Sequence, residues 1–265
     1  MNSKKKRSNV TELSLTAMGA ILLVFSIVVS STIIAFIGLS LTFWGILFLL
    51  TMSKNYISNN VFEATNISPY ATLNRIMSDF DYDVNAIYIP SLSEESNLPE
   101  HLSGLKEMTV FISSKKEMTL PSLEKLVGKH FMINDPEGLC ITPPGSGLVS
   151  LFENELKTSL TKIDAEDLYD FLPKIIIANL ELAGNLEIKP MNGAIHVKIV
   201  DSVYANLYAN KETLKSINLV GCPLVSALCC SIANTTRKLV TLTQTKVSPN
   251  LKTIEVWFKL ESRLS

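Results

Sequence analysis

The alternation of apolar and polar positions divides the chain into three stretches with different periods. Between Leu13 and Met52 there is no charged residue, and the run is apolar throughout apart from small and hydroxyl side chains. A bilayer core of roughly 30 Å needs about 20 helical residues to cross, so this run is long enough for two spans. Ser30-Ser31-Thr32 is its most polar triplet and marks the turn, which predicts helices over 13–29 and 33–52 folded back as a hairpin. Gly38, Thr42 and Gly45 recur at helical spacing on one side of the second helix, and Gly19 and Ser26 lie on one side of the first. Small residues in such stripes let two backbones approach closely, with Gly19 level with about Phe43 and Ser26 with about Phe36.

The second stretch mixes helical and extended patterns. Residues 56–67 read as a connector, and Ser68-Pro69 as a cap and first helical residue for a helix over 69–80, with Leu73, Ile76, Met77 and Phe80 on one face. Short apolar runs at 86–90, 108–113, 130–133 and 139–142 predict strands, 121–127 a short helix, and the Ser-, Glu- and Asn-rich segment 91–104 a surface loop. Thr142-Pro143-Pro144-Gly145-Ser146-Gly147 is the strongest break in the chain and opens a helical pattern over 148–160. Asp164 is placed to cap the next helix, whose apolar stripe runs from Leu168 to Ala183 and ends at Gly184. Pro173 within it predicts a kink or a division.

The last third has period two. Residues 186–189 and 195–200 alternate around Met191-Asn192-Gly193, an Asn-Gly hairpin turn. A second alternating pair, 239–245 and 253–260, follows, and 222–234 between the pairs is apolar on nearly every side, as in a helix packed on a sheet. The fold class is therefore α+β: an N-terminal two-helix transmembrane hairpin, then a domain over 68–265 with helices first and a mainly antiparallel sheet towards its end.

Composition adjusts this picture in three ways. With 24 basic and 25 acidic residues the net charge is −1, so no excess positive field favours a nucleic-acid partner. Lys4, Lys5, Lys6 and Arg7 precede the first apolar helix and Lys54 follows the second. The positive-inside rule then places both ends, and the domain, on the cytoplasmic side of a cell membrane. The apolar run is also far longer than the roughly 7–15 residues of a signal-peptide core. Asn66-Ile67-Ser68 and Asn234-Thr235-Thr236 match the N-glycosylation pattern, and with this topology neither meets the machinery that modifies it. No ionisable residue lies within the predicted spans, which describes an anchor and not an ion path.

Candidate chemistry is sparse. The chain lacks a phosphate-loop Gly-Lys-Ser/Thr, a G-x-S-x-G elbow, H-E-x-x-H and C-x-x-C. Gly145, Ser146 and Gly147 open a helix whose N-terminal N–H groups could face an anion, although no lysine accompanies them. Cys222 precedes Pro223 at another helix start, where a thiolate is stabilised, with Cys229 and Cys230 following on that helix. Cys140 stands apart, and buried reduced thiols are the simpler expectation for all four. His101, His130 and His196 are scattered, His196 facing away from the core. Glu153 with Glu155, and Glu166 with Asp167, do not share a helix face and read as solvated surface. No cofactor or metal site is expected.

Leu41-Thr42-Phe43-Trp44-Gly45, Ile87-Tyr88-Ile89-Pro90, Pro143-Pro144-Gly145 and Gly221-Cys222-Pro223-Leu224 together resemble a family of uncharacterised archaeal membrane proteins with an N-terminal two-helix anchor. That resemblance implies no particular activity. The last eighty or so residues are similar to the vinyl-reductase type of small-molecule-binding domain, in which a Cys-Pro helix start is followed by strands. Thr245-Lys246-Val247-Ser248-Pro249 stands where that family has a later cysteine cluster. The expectation is a membrane-held binding or interaction module for a small molecule or a protein, with Gly145, Ser146, Gly147 and Cys222 as candidate ligand contacts. The rival is a membrane-tethered enzyme or redox sensor using Cys222.

Overall fold

The computed structural model describes residues 2–51, 59–82, 86–91, 107–114, 120–122, 125–126, 131–209 and 215–261. His101, His130 and most of the 91–104 loop expected from the sequence lie outside these. The chain forms two compact units, 1–58 and 59–265.

The first unit is a helical hairpin of α1 (Asn2–Val29) and α2 (Thr32–Thr51), turning at Ser30, whose φ is +51°. The basic N-terminal residues are thus the first turns of α1 and not a separate tail. The small-residue stripes face each other as expected. A Cβ on Gly19 would stand 2.6 Å from the Thr42 nitrogen, one on Gly38 2.9 Å from the Leu23 nitrogen, and one on Gly45 2.8 Å from the Thr16 nitrogen. Thr42 returns its hydroxyl to the Gly38 carbonyl at 2.9 Å, so the polar atom at this interface is satisfied within its own helix. Among the described residues the helical stretch long and apolar enough to cross a membrane by composition is Lys215–Thr236, and 89% of it is buried in the second unit, as a core helix is. The apolar parts of the hairpin, Ser14–Val29 and Thr32–Phe48, are shorter.

The second unit begins with α3 (Asn59–Asp79), ten residues earlier than the sequence pattern places it. The expected connector is helical over 59–67, and Pro69, taken as a helix start, lies inside α3 at the loss of one backbone donor. Strands β1 (Ala86–Ile89), β2 (Thr109–Ser113), β3 (Met132–Asn134) and β4 (Glu137–Ile141) follow. Of the short helix expected at 121–127, the described residues show a turn in which the N–H groups of Lys125 and Leu126 both reach the Ser122 carbonyl.

Next come α4 (Ser146–Leu156), a 3-10 turn at Leu160–Lys162, and α5 (Ala165–Lys174). Asp164 precedes α5 as expected, yet its side chain makes no capping bond. One residue after Pro173 the α-helix ends at Lys174 and a π-helical stretch follows over Ile175–Asn179, so the helical run changes form where the proline predicts a kink or division. The hairpin β5 (Asn185–Met191) and β6 (Ala194–Val200) closes through Asn192-Gly193 with Gly193 at φ +72°. Helices α6 (Lys215–Val220) and α7 (Pro223–Thr236) then lead to β7 (Leu239–Val247) and β8 (Thr253–Glu261).

All the described strands join one antiparallel eight-stranded sheet, in the order β3-β4-β2-β1-β7-β8-β6-β5. The early and late strands are thus not separate layers. Ile87 pairs with Thr241 and Tyr88 with Val240, stitching the two halves through β1 and β7. The helices cover one face, with α7 lying against β1 and β7. β6 alternates: Ile195, Val197 and Ile199 are buried while His196 and Lys198 point outwards. β1 and β2 do not alternate, because their second face carries another apolar cluster of Ile87, Ile89, Phe111, Leu126, Ile133 and Leu239. A strand covered on both sides reads as a continuous apolar run, as Ala-Ile-Tyr-Ile does.

Candidate functional site

Hydrogen bonds from several distant elements converge on the start of α7. Gly221 has φ +72°, open to glycine at little strain, and lies in the two-residue break between α6 and α7. Three tyrosines from three elements hold the turn. The hydroxyl of Tyr70 on α3 donates to the Gly221 carbonyl at 2.9 Å, that of Tyr88 on β1 to the Val220 carbonyl, and the Cys222 N–H donates to the hydroxyl of Tyr208 at 3.1 Å. Ser216 of α6 adds a bond from its hydroxyl to the Tyr70 carbonyl at 3.0 Å.

One turn into α7, Ser226 accepts the Gly145 N–H at 3.0 Å. The break before α4 therefore lies directly on α7. A Cβ on Gly145 would stand 2.2 Å from the Ala227 nitrogen and 2.5 Å from the Pro223 carbonyl oxygen, so the backbones touch where only hydrogen fits. Gly147, by contrast, has open space on its Cβ side.

Beside this contact lies a cleft of about 450 Å³, lined by Ser91, Glu107, Met108, Thr142, Ser146, Val149, Ser150, Glu153, Ser159 and Asn234. α4 contributes Ser146, Ser150 and Glu153 from one face, α7 contributes Asn234 near its C-terminal end, and Ser91 comes from the residues after β1. Two of the side chains are held in place. Asn234, 5% exposed, accepts the Ser91 N–H on its Oδ1 at 2.9 Å. Glu153 accepts the Leu160 N–H at 3.0 Å and the Ser159 hydroxyl at 3.1 Å, both on Oε1.

The candidate residues read from the sequence are brought to one neighbourhood but not to one surface. Ser146 lines the cleft. Gly145 is spent on the contact with α7, and Gly147 lies in the first turn of α4. Cys222 is fully buried beneath the Tyr208 hydroxyl, away from the cleft lining. Burial raises its thiol pKa, and the Tyr208 bond and the helix-start N–H groups of Leu224 and Val225 offset this only in part. The same burial raises Cys229 and Cys230, and pushes Cys140 to about 12. Among the described residues no group of three or more His, Cys, Asp or Glu side chains could hold a metal ion.

Two acidic residues are not simply solvated as their spacing suggested. Glu153 anchors the Leu160 turn, and Glu155 accepts a bond from the Asn179 amide on the other side of α4. His196 does face away from the helices, but it is not a solvated imidazole: Trp257 lies over it at 4.7 Å, and its Nε2 is buried 3.9 Å from the Glu255 carboxylate. Glu153 and Asn234 are two of the cleft residues that the sequence did not mark as candidates. Their signals were faint, a polar stripe Ser146-Ser150-Glu153 on an otherwise apolar helix and one asparagine at the end of an apolar one.

Residues 1–257 match a family described as a domain of unknown function, DUF7982, and the chain belongs to that family. No curated protein and no solved structure matches it.

Proposed function

We propose that this protein is a binding module held at the membrane by its N-terminal hairpin, with the domain on the cytoplasmic side and a small polar molecule bound in the cleft between α4 and α7. The observation that carries the anchor is where apolar surface lies. Of the 23 large apolar side chains exposed among the described residues, sixteen fall on the hairpin between Met18 and Phe48, including Ile27 at 78% and Phe36 at 71% exposure. Helices whose inner faces are glycine and threonine and whose outer faces are Ile, Val, Phe, Leu and Trp are built for an apolar surrounding. The apolar part of each helix is short for a span, yet α2 as a whole, with 20 residues, is about 30 Å long, the thickness of a hydrocarbon core. Lys4–Arg7 support the cytoplasmic side for both ends.

The ligand part rests on Glu153 and Asn234, which line the cleft and are oriented by bonds to their own neighbours. Side chains locked in this way suit recognition. A thiol-based activity draws no support from a Cys222 that is buried with a raised pKa.

Alkaline carbonate extraction of membranes tests the anchor: the protein is expected in the pellet, and a variant lacking 13–52 in the supernatant. The native glycosylation patterns are poor reporters of sidedness, because Asn234 is buried and Asn66 lies within α3. An acceptor sequence appended after Ser265 replaces them and is expected to stay unmodified. Recovery of the whole chain in the supernatant, or glycan on the appended site, would overturn the assignment.

A further inference from the structure

We propose that Asn192, at the tip of the β5–β6 hairpin, is a site of spontaneous covalent modification that converts it to aspartate and isoaspartate through a cyclic imide. Three observations meet at this residue. Asn192 is exposed, and it is the asparagine of this chain that a glycine follows. The peptide joining the two is not tied down: both residues lie outside the strands, and among the described residues neither the Asn192 carbonyl nor the Gly193 N–H enters a backbone bond. The next carbonyl, that of Gly193, is the one that accepts the Leu260 N–H, at 2.9 Å. A Cβ at Gly193 would meet nothing within 4 Å, so that side of the turn is open.

The step is an intramolecular substitution, favoured because nucleophile and electrophile sit on adjacent residues. Hydroxide takes the Gly193 amide proton, and the electron pair of that nitrogen bonds to Asn192 Cγ. The Cγ–Nδ2 bond breaks and the nitrogen, gaining a proton from water, leaves as ammonia. Water then adds to either carbonyl of the ring. Breaking the ring bond at Cγ gives aspartate, and breaking it at the backbone carbon gives isoaspartate, whose chain runs through Cβ and Cγ. In sum one amide and one water become a carboxylate and an ammonium ion, with no oxidation or reduction. A side chain on the following residue crowds this approach: Asn185, Asn206 and Asn250 are also exposed, but leucine follows each of them. Isoaspartate adds a backbone carbon to the two-residue connection that sets the Met191–Ala194 register. The end of β5, an edge strand, is therefore the part of the sheet that loosens.

The full-length protein in lipid nanodiscs, incubated at neutral and at mildly alkaline pH and then digested, tests this by mass spectrometry with fragmentation that separates aspartate from isoaspartate. Both products are expected at Asn192, at least about tenfold faster than any conversion of Asn185, Asn206 or Asn250. The rate should rise with hydroxide, about tenfold per pH unit, because the deprotonated nitrogen is the nucleophile. Since the folded turn leaves the reacting peptide untied, the rate in the folded protein should lie within about tenfold of that in urea at the same pH. Asn192→Gln, which keeps an amide but needs a larger ring, should stay unconverted over the same period. An intact Asn192, a rate advantage below about tenfold over the leucine-followed asparagines, or a folded-state rate below about a tenth of that in urea overturns the proposal. Aspartate without isoaspartate overturns it as well, because direct hydrolysis would then replace the ring.

Discussion

The hydroxyl of Tyr70 on α3 donates at 2.9 Å to the carbonyl of Gly221, 151 residues further along the chain, and the hydroxyl of Tyr88 donates to the adjacent Val220 carbonyl, 132 residues beyond Tyr88. Both acceptors belong to the turn that launches α7. Tyr70→Phe or Tyr88→Phe leaves a buried carbonyl without its donor, and each is expected to lower the unfolding free energy by about 1–3 kcal/mol. Because the two bonds share one turn, the double variant should depart from additivity. Urea unfolding measures both, and a loss below about 0.5 kcal/mol for each single variant would show that neither bond matters.

These tyrosines also set the alkaline limit. Burial raises the pKa of Tyr70, Tyr88 and Tyr208 well above the ordinary value near 10. Below pH 10 the folded and unfolded chains hold the same phenolic protons and stability does not depend on them. Above it the unfolded chain releases protons that the folded one keeps, so stability falls as pH rises. The melting temperature should decline from about pH 10, and these three phenols should ionise only as the chain unfolds, after the less buried tyrosines. Ionisation of all seven tyrosines near pH 10 while the protein stays folded would contradict this burial.

Gly145 and Gly147 should respond oppositely to alanine. A Cβ on Gly145 collides with the backbone of α7 at Ala227 and Pro223, whereas one on Gly147 meets open space within a helix. Gly145→Ala should destabilise by several kcal/mol or prevent folding, and Gly147→Ala should stabilise by up to about 1 kcal/mol through helix propensity. Thermal melting of the two variants decides it, and equal melting temperatures would mean that the contact between the turn and α7 is absent.

The thiols of α7 should be protected by the fold. Cys222, Cys229 and Cys230 are buried and their pKa values are raised by that burial. Alkylation by iodoacetamide at neutral pH is expected to proceed for all three at the rate of global unfolding, and to become fast in urea. Rapid labelling of Cys222 alone in the native protein would revive a thiol-based role.

Within the hairpin, Gly19→Leu places a side chain where the Thr42 backbone already stands, at 2.6 Å from a Cβ. Spin labels on α1 and α2 should report a wider separation of the helices in nanodiscs, with carbonate resistance retained. Unchanged separation would show that the small-residue stripes do not face each other.

Much of the architecture was legible because it rests on local regularities. Forty uncharged positions with a polar triplet in the middle made a helical hairpin, and Asn192-Gly193 between alternating runs made a β-turn, since few other backbones suit those residues. The position of the helix at Cys222-Pro223 followed for the same reason. Long-range pairing left no such trace. Nothing in Ala86–Ile89 names Val240 and Thr241 as its partners, because β-pairing between distant strands is decided by which faces can be buried together and not by any local period. Pro69 looked like a helix start because the pattern before it is weakly apolar, yet α3 runs through it. The site followed the same division. Ser146 was visible at a turn that opens a helix, while Glu153 and Asn234 looked like surface and core residues respectively. They became a pair only when α4 was laid on α7 through Gly145, a contact between backbones 82 residues apart in sequence that no side-chain pattern announces.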